Sequence, residues 1–165
     1  EVPLQSISVN GTNKASHLCS MGRRCTAVVD SGCPQIAVPK GMAAELAGQL
    51  GFTGTKLQCQ HPKLALPNIG FRLGGKSFEV SPVDYVEVSE MDPESCQLRF
   101  SELPSDAAGA RTFILGHPFL QRHYSVYDQD SLRVGLAPIA EPGSSDMGPA
   151  AAAMARMLAG VSDNN

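Results

Sequence analysis

The chain has 165 residues, enough for one domain with a sizeable hydrophobic core and too few for two full domains. Its 13 basic and 16 acidic residues give a net charge of −3 and are scattered along the sequence, so no basic surface for nucleic acid or an anionic membrane is expected. No apolar run approaches the ~20 residues that span a bilayer, and the first residues lack the features of a signal peptide. We therefore expect a soluble chain that has already been processed.

The N-terminal segment predicts a short strand followed by a turn. Between Leu4 and Val9, apolar residues are interrupted by polar ones, and Asn10-Gly11 is a strong hairpin signal because both residue types tolerate positive φ. Together with Thr12, the same residues spell a glycosylation sequon at Asn10. A tight turn can deny access to the glycosyltransferase, so the sequon is either a modification site or only a turn.

The next element brings a carboxylate to the end of a strand. Small and β-branched residues from Thr26 to Val29 predict a buried strand, and Gly32 predicts the turn that ends it. Asp30 therefore lies at a strand-to-loop junction. A buried Asp is costly unless it is compensated, so it is either a structural group or one whose pKa is tuned for chemistry. The tripeptide Asp-Ser-Gly alone does not distinguish these two roles, because it is also common in ordinary turns.

A helix and a set of short strands follow. Met42, Leu46 and Leu50 are spaced four residues apart and precede Gly51, which predicts a helix over Met42–Leu50 packed on a sheet. From Thr55 to Phe100, short alternating segments separated by Pro and Gly predict antiparallel β-sheet.

A second buried strand is predicted over Thr112–Leu115, ending on Gly116. Pro118 then allows a short helix to begin near Phe119, because Pro at an early helical position costs little. The histidines raise the question of a metal site. Their spacing places no two on one helical face and completes no known ligand pattern, so we expect no metal at these residues: His17, His61, His117 and His123.

Taken together, several weak motifs resemble, in order and spacing, the C-terminal lobe of a pepsin-like aspartic protease. In that family a D-[ST]-G loop is threaded beside a later hydrophobic-hydrophobic-Gly strand. The matching segments are Leu4–Gly11, Asp30-Ser31-Gly32, Leu66–Phe71 with Gly75, Asp84-Tyr85-Val86, Phe113–Gly116, and Phe119-Leu120 through His123–Asp128 to Arg133–Ala137.

The resemblance implies an all-β fold of antiparallel sheets with a psi-loop and a few short helices. It also implies that Asp30 is the catalytic carboxylate of the lobe. Ser31, Gly32, Cys33 and Gly116 would then support the catalytic loop, Ser31 by its hydroxyl and Gly32 by letting its backbone N–H approach the carboxylate. No cofactor is implied.

Two positions depart from the family pattern. Cys33 stands where the family usually has Ser or Thr, whose hydroxyl donates to the carboxylate, and a thiol is a weaker donor. His117 stands where the family usually has Asp. Because of these two departures, an inactive or weakened site is an alternative to an active one.

Composition leaves the pairing of the five cysteines open, and five reduced cysteines in a cytosolic protein are the alternative to disulfides. The resemblance implies two disulfides and therefore the secretory pathway, with a secreted or a vacuolar or lysosomal location. The pairs would be Cys19 with Cys25 and Cys59 with Cys96, leaving Cys33 free.

Peptide hydrolysis in this family uses two carboxylates that share one proton, and the chain has a single D-[ST]-G. The first hypothesis is therefore half of a bilobal aspartic endopeptidase acting on peptides or proteins, with an N-terminal lobe chain as its partner. The alternatives are a catalytically inactive pseudoprotease lobe with a structural or binding role, and a self-pairing homodimer of retroviral type.

The C-terminal tail differs from the rest of the chain in composition. We expect residues 1–140 to form the lobe and residues 141–165 to be additional. Pro142–Ser145 is predicted to be a linker, and the Ala-rich stretch Pro149–Leu158 is predicted to be either disordered or a helix that docks on the missing lobe or on another protein.

Overall fold

The structure is a computed structural model that describes residues 1–10, 19, 25–50, 57–58, 66–92, 95–104 and 111–139. Within these ranges no helix is long and apolar enough to cross a membrane. The described residues form two compact units that divide between Gln121 and Arg122. The predicted tail, residues 141–165, and the boundary before it lie outside the described residues.

Strands dominate both units, and the helices are short. The strands are β1 Val2–Val9, β2 Cys25–Val29, β3 Ile36–Val38, β4 Leu57–Gln58, β5 Ile69–Leu73, β6 Lys76–Val80, β7 Val86–Val88, β8 Ser95–Leu98, β9 Phe100–Glu102, β10 Arg111–Leu115, β11 His123–Asp128 and β12 Arg133–Pro138. The helices are α1 Ala43–Gln49, α2 Pro82–Tyr85 and α3 His117–Leu120. The predicted all-β fold with a few short helices is confirmed.

The main sheet has seven strands in the order β6-β5-β1-β2-β10-β3-β9. Most neighbours are antiparallel, as predicted, but β2 pairs with β10 and β3 pairs with β9 in parallel. A separate three-stranded sheet has the order β4-β8-β7.

Strand β10 lies between β2 and β3, parallel to the first and antiparallel to the second. Leu115 of β10 is opposite Val29 of β2 on one side and Ile36 of β3 on the other. Strands β2 and β3 are therefore antiparallel to each other with a third strand between them, which is a psi-loop. The segment from residue 30 to residue 35 has to pass across the end of β10 in order to connect them.

The core of the first unit is packed around this sheet. Phe113 and Leu115 of β10 are fully buried on one face of the sheet, whereas Thr112 and Ile114 on the alternate face are half-buried. Phe119 of α3 makes edge-to-face contacts with Phe71 of β5 and Phe78 of β6. Burial of each such ring stabilises the fold by about 1.5–3 kcal/mol.

Helix α1 confirms the predicted helix, with one residue fewer at each end. Met42, Leu46 and Leu50 are buried at the predicted four-residue spacing. The backbone N–H groups at the start of the helix need acceptors, and the Glu102 carboxylate accepts from Ala43 N at 3.4 Å as well as from Gly41 N, just before the helix, at 3.0 Å. The helix is thereby tied to the end of β9.

Helix α2 lies within the Thr55–Phe100 segment, which was predicted to be short antiparallel strands separated by Pro and Gly. Ser81 is its N-cap and Pro82 occupies the first turn, while Asp84 reaches back and accepts from Ser81 N at 3.1 Å. Asp84 is buried and also accepts from Gln121 Nε2 at 2.9 Å. Burial raises the pKa of the Tyr85 phenol, which donates to the Pro67 carbonyl oxygen at 2.6 Å.

The described turns have the positive φ angles that their residue types predicted. Gly74 and Gly75 join β5 to β6 with φ angles of 55° and 82°, a conformation that glycine adopts without strain. Asn10 has φ 50°, as the hairpin signal predicted, whereas Gly11 lies outside the described residues. The second unit contains the antiparallel hairpin of β11 and β12.

Candidate active site

The candidate site is centred on Asp30, the first residue after β2. Its backbone N–H donates to the Leu115 carbonyl oxygen at 3.2 Å, which fixes the start of the loop against the end of β10. The side chain is half-buried. Oδ1 accepts from Gly32 N at 2.8 Å, whereas Oδ2 has no hydrogen-bond partner among the described residues. One carboxylate oxygen is thus held and the other is available to an incoming group.

Glycine is required at residue 116 by close approach of the loop. A Cβ at Gly116 would overlap the backbone oxygens of Cys33 and Gln35, and it would lie 2.9 Å from Cys33 Cβ. His117 N donates to the Cys33 carbonyl oxygen at 2.8 Å. The Asp30 loop therefore lies directly on Gly116, as the two motifs predicted when they were taken together.

Gly32 serves the carboxylate through its backbone. Its N–H makes the predicted contact with Asp30, and a Cβ at this position would be 3.2 Å from Oδ1, a tight distance. Ser31, the residue between them, is exposed. Its predicted hydrogen bond across two loops requires a second D-[ST]-G loop, so that role stays a prediction.

Cys33, which replaces the hydroxyl residue of the family pattern, makes its side-chain hydrogen bond within the loop. The Sγ atom donates to the Gln35 carbonyl oxygen at 3.1 Å, a contact within the loop itself. Cys33 is a free cysteine and is half-buried. The thiol therefore stabilises the turn toward β3, and its hydrogen bond is directed to the backbone.

The predicted disulfide between Cys19 and Cys25 is present, with the two Cα atoms 5.6 Å apart. It ties the first residue of β2 to the segment before it. Cys96 is also disulfide-bonded, but Cys59 lies outside the described residues, so their pairing stays a prediction.

Asn10, the glycosylation candidate, is exposed and accepts from Asn68 N at 3.1 Å through Oδ1. Thr12, the third sequon residue, is outside the described residues, and glycosylation also stays a prediction.

Arg99, a half-buried residue between β8 and β9, was not among the residues predicted from the sequence. Its Nη2 atom is 2.9 Å from the Pro34 carbonyl oxygen and 3.0 Å from His117 Nδ1. The residue therefore connects the Asp30 loop to the start of α3. No local signal marks it, because an Arg in an alternating segment reads as an exposed strand residue.

No group of three or more potential metal ligands occurs among the described residues. His117 is engaged with Arg99, and His123 is buried in the second unit. His17 and His61 lie outside the described residues.

A lobe in which an Asp-Ser-Gly loop crosses the end of a hydrophobic-hydrophobic-Gly strand defines the pepsin-like class of aspartic protease folds. Comparison with known families agrees, because residues 1–139 match the family model "Eukaryotic aspartyl protease". The chain therefore belongs to the eukaryotic aspartyl protease family.

Individual relatives show the same relationship. The chain is 29% identical to pepsin A of Sus scrofa over 145 residues, which cover 85% of this chain and 35% of that protein. It is 34% identical to cathepsin D of Bos taurus over 122 residues, which cover 70% of this chain and 31% of that protein. Cathepsin D of Homo sapiens is 33% identical over 129 residues, 74% of this chain and 31% of that protein. The matched region is thus about a third of the length of these relatives.

Proposed function

We propose that this chain is the C-terminal lobe of a bilobal aspartic endopeptidase and that Asp30 is one of its two catalytic carboxylates. The observation that carries the proposal is the geometry of Asp30. The side chain sits at the end of a buried strand on a loop fixed to β10, with Oδ1 held by Gly32 N and Oδ2 unengaged among the described residues.

The chemistry requires a second carboxylate. Two carboxylates about 3 Å apart cannot both ionise, so one is protonated while the other is charged. The charged one takes a proton from water as the water attacks the peptide carbonyl, and the protonated one donates to the carbonyl oxygen. Asp30 is the only Asp in the sequence followed by Ser-Gly or Thr-Gly. We propose that the second carboxylate is supplied by an N-terminal lobe outside this sequence.

The proposal includes the substrate and the compartment. A dyad of this type hydrolyses peptide bonds of peptides and proteins without metal or cofactor. The Cys19–Cys25 disulfide supports an oxidising environment, because such bonds persist in secreted and lumenal proteins. We place the protein in the secretory pathway, either secreted or in a vacuolar or lysosomal compartment.

The test is Asp30→Asn in the assembled two-lobe protein. The substitution keeps the shape of the side chain and removes its capacity for acid–base exchange, so kcat should fall by at least about 10²–10⁴-fold. Size-exclusion chromatography should show unchanged assembly. Asp130→Asn, at an exposed position in the β11–β12 turn, is the matched control and should retain activity.

The pH dependence adds a second criterion. Wild-type kcat/KM should follow a bell-shaped curve on the acidic side of neutrality, since one carboxylate must be protonated and the other charged. Absence of turnover at every pH from about 3 to 7, together with no binding of statine-type transition-state mimics, would establish the alternative, a pseudoprotease lobe with a structural or binding role.

A further inference from the structure

Backbone hydrogen bonds attach the Asp30 loop to the fold at its start, its middle and its end. At the start, Asp30 N donates to a carbonyl oxygen at the end of β10 at 3.2 Å. At the end, Ile36 N donates to the Arg99 carbonyl oxygen at 2.9 Å. The middle is held by His117 N, which donates to the Cys33 carbonyl oxygen at 2.8 Å and belongs to the first residue of α3. The position of the middle of the loop therefore depends on the position of α3.

Helix α3 is a single turn of four residues, so packing has to hold it in place. A helix of this length is not stable by itself in water. Phe119 supplies part of the packing, because its ring is fully buried and contacts Phe71 and Phe78 edge to face. Pro118 beside it is also buried. Both side chains lie in the middle of the turn, so the direction of the helix still depends on a contact at one of its ends.

Gln121, the residue that follows the last turn of α3, makes such a contact. Its Nε2 atom donates to Asp84 Oδ1 in α2 at 2.9 Å, and its backbone N–H donates to the His117 carbonyl oxygen at 3.0 Å. The side chain of Gln121 is thus bonded to α2, and its backbone is bonded to the residue that holds the loop. Through this residue, the position of α2 fixes the position of α3.

Asp84 is itself firmly held, which allows it to hold Gln121. Its side chain is only 2% exposed, and Oδ2 accepts from Ser81 N at 3.1 Å and from Ser81 Oγ at 2.5 Å. The carboxylate cannot rotate without losing both bonds, and a buried carboxylate without donors is costly. Tyr85, the next residue, is fully buried and donates to the Pro67 carbonyl oxygen at 2.6 Å. Asp84 Oδ1 is therefore an acceptor in a fixed position.

We propose that Asp84 is a positioning residue for Asp30. Its carboxylate holds Gln121 and thereby fixes α3 against α2, and α3 holds the middle of the Asp30 loop through His117 N. The inference rests on the proposed function of Asp30. Asp84 does not touch the reacting atoms, but catalysis depends on the placement of the reacting group, so a looser loop lowers the rate.

The first experiment measures kcat and KM of the assembled protease with Gln121→Met. The substitution removes the donor to Asp84 and keeps a flexible side chain of similar length, which a half-buried position tolerates. We expect kcat to fall about tenfold, the lower range for the loss of a hydrogen bond to a carboxylate. KM should change less than about twofold, because the loop carries the reacting group. An unchanged kcat in the folded variant would refute the proposal.

Tyr85→Phe is the matched control for a general loss of stability. It removes the hydroxyl that donates to the Pro67 carbonyl oxygen, so it weakens the same helix through a bond to the segment before β5 instead of to α3. Urea unfolding should show that Tyr85→Phe and Gln121→Met both destabilise the protein, whereas kcat should fall only with Gln121→Met. An equal fall of kcat in both variants would show that activity follows stability, which would refute a positioning role.

A reciprocal exchange tests whether the bond between α2 and α3 carries the effect. Gln121→Glu alone places a second carboxylate against Asp84 and should displace α3. Addition of Asp84→Asn should reverse this displacement, because the Asn amide nitrogen can donate to the new carboxylate while its oxygen still accepts from Ser81. If the single variant is impaired and the double variant does not recover, the effect of Gln121 does not pass through Asp84 and the proposal is wrong.

Hydrogen exchange of the loop separates this inference from the proposed function. Cys33 N donates to the Asp30 carbonyl oxygen, and His117 N donates to the Cys33 carbonyl oxygen. At neutral pH, the protection of these two amides should fall about tenfold with Gln121→Met and with Gln121→Glu, and should recover to within about twofold of the wild type in the double variant. This pattern in a protein without turnover would support the positioning role and refute the protease function. Turnover with unchanged protection in all three variants would do the reverse.

Discussion

At the scale of single residues, Gly116 is required because backbone atoms of the Asp30 loop approach it closely. A Cβ at Gly116 would overlap the backbone oxygens of Cys33 and Gln35, which cannot rotate away as a side chain can. Gly116→Ala should therefore destabilise the first unit by about 3 kcal/mol, the upper range for overpacking. Urea unfolding measures the loss.

Gly48 is the matched control, because it lies within α1 and a Cβ there meets nothing within 4 Å. Gly48→Ala should stabilise the chain by about 0.5–1 kcal/mol through helix propensity. Equal effects of the two substitutions would contradict the packing that we assign to Gly116.

The cysteines give a second prediction at this scale. Among the described residues, Cys33 is the free cysteine, whereas Cys25 and Cys96 are disulfide-bonded. Thiol counting in denaturant without reductant should find one thiol per chain. Cys33→Ser should reduce the count to zero, and a count of three in the unsubstituted protein would show that one predicted disulfide is absent.

At the scale of elements, the sequence predicted those elements whose signal is local. The Thr26–Val29 run, the stripe from Met42 to Leu50 and the Gly74-Gly75 turn each carry their own periodicity or backbone requirement, and each element is present. Helix α2 was missed because one turn of helix is too short to show a period. Its Ser81-Pro82 start followed by Asp84 was the available signal.

Some residues of the candidate site could also be predicted from the sequence, and others could not. Asp30, Gly32 and Gly116 could be found because the loop geometry demands those residue types. Arg99 could not, because its contacts join residues that are 65 and 18 positions away in sequence. The Cys33 thiol shows the same limit, since sequence gives its donor strength but not the oxygen to which it donates.

The β11–β12 hairpin provides a pH-dependent prediction. The Asp128 carboxylate accepts from Ser131 N at 2.9 Å and from Arg133 Nη2 at 3.0 Å. The backbone bond from Ser131, the Ser131 side chain and Arg133 lower the pKa of Asp128 below its ordinary value. A lowered pKa stabilises the folded turn at pH values above the ordinary value of about 3.9, and this stabilisation is lost as pH falls through the lowered pKa.

Asp128→Asn should therefore weaken the hairpin at pH 5–7 and match the wild type near pH 2–3. Hydrogen exchange at the paired residues of β11 and β12 gives the opening free energy at each pH. Asp130→Asn, in the same turn and exposed, is the control and should follow the wild type throughout. A wild-type advantage that persists at the lowest pH would indicate a contact other than the ionised carboxylate.

At the scale of the whole molecule, the site is asymmetric. Gly32 N holds one oxygen of Asp30, the other has no hydrogen-bond partner among the described residues, and the sequence contains no second D-[ST]-G. The matched relatives are about three times as long as the matched region. These facts favour a site completed by a second lobe over a site completed by a copy of the same chain, but both arrangements place two carboxylates together.

The last prediction distinguishes the two arrangements. If an N-terminal lobe supplies the second carboxylate, the 165-residue chain alone should not hydrolyse peptides at any concentration, and the addition of that lobe should produce activity proportional to the complex formed. If the chain pairs with itself, activity at low concentration should rise with the square of chain concentration, because two chains form one site. Peptide turnover measured over a hundredfold concentration range at pH 3–7, beside sedimentation at the same concentrations, gives both quantities. Mixing wild type with Asp30→Asn adds a check: only a self-paired site would lose activity in proportion to the mixed dimers.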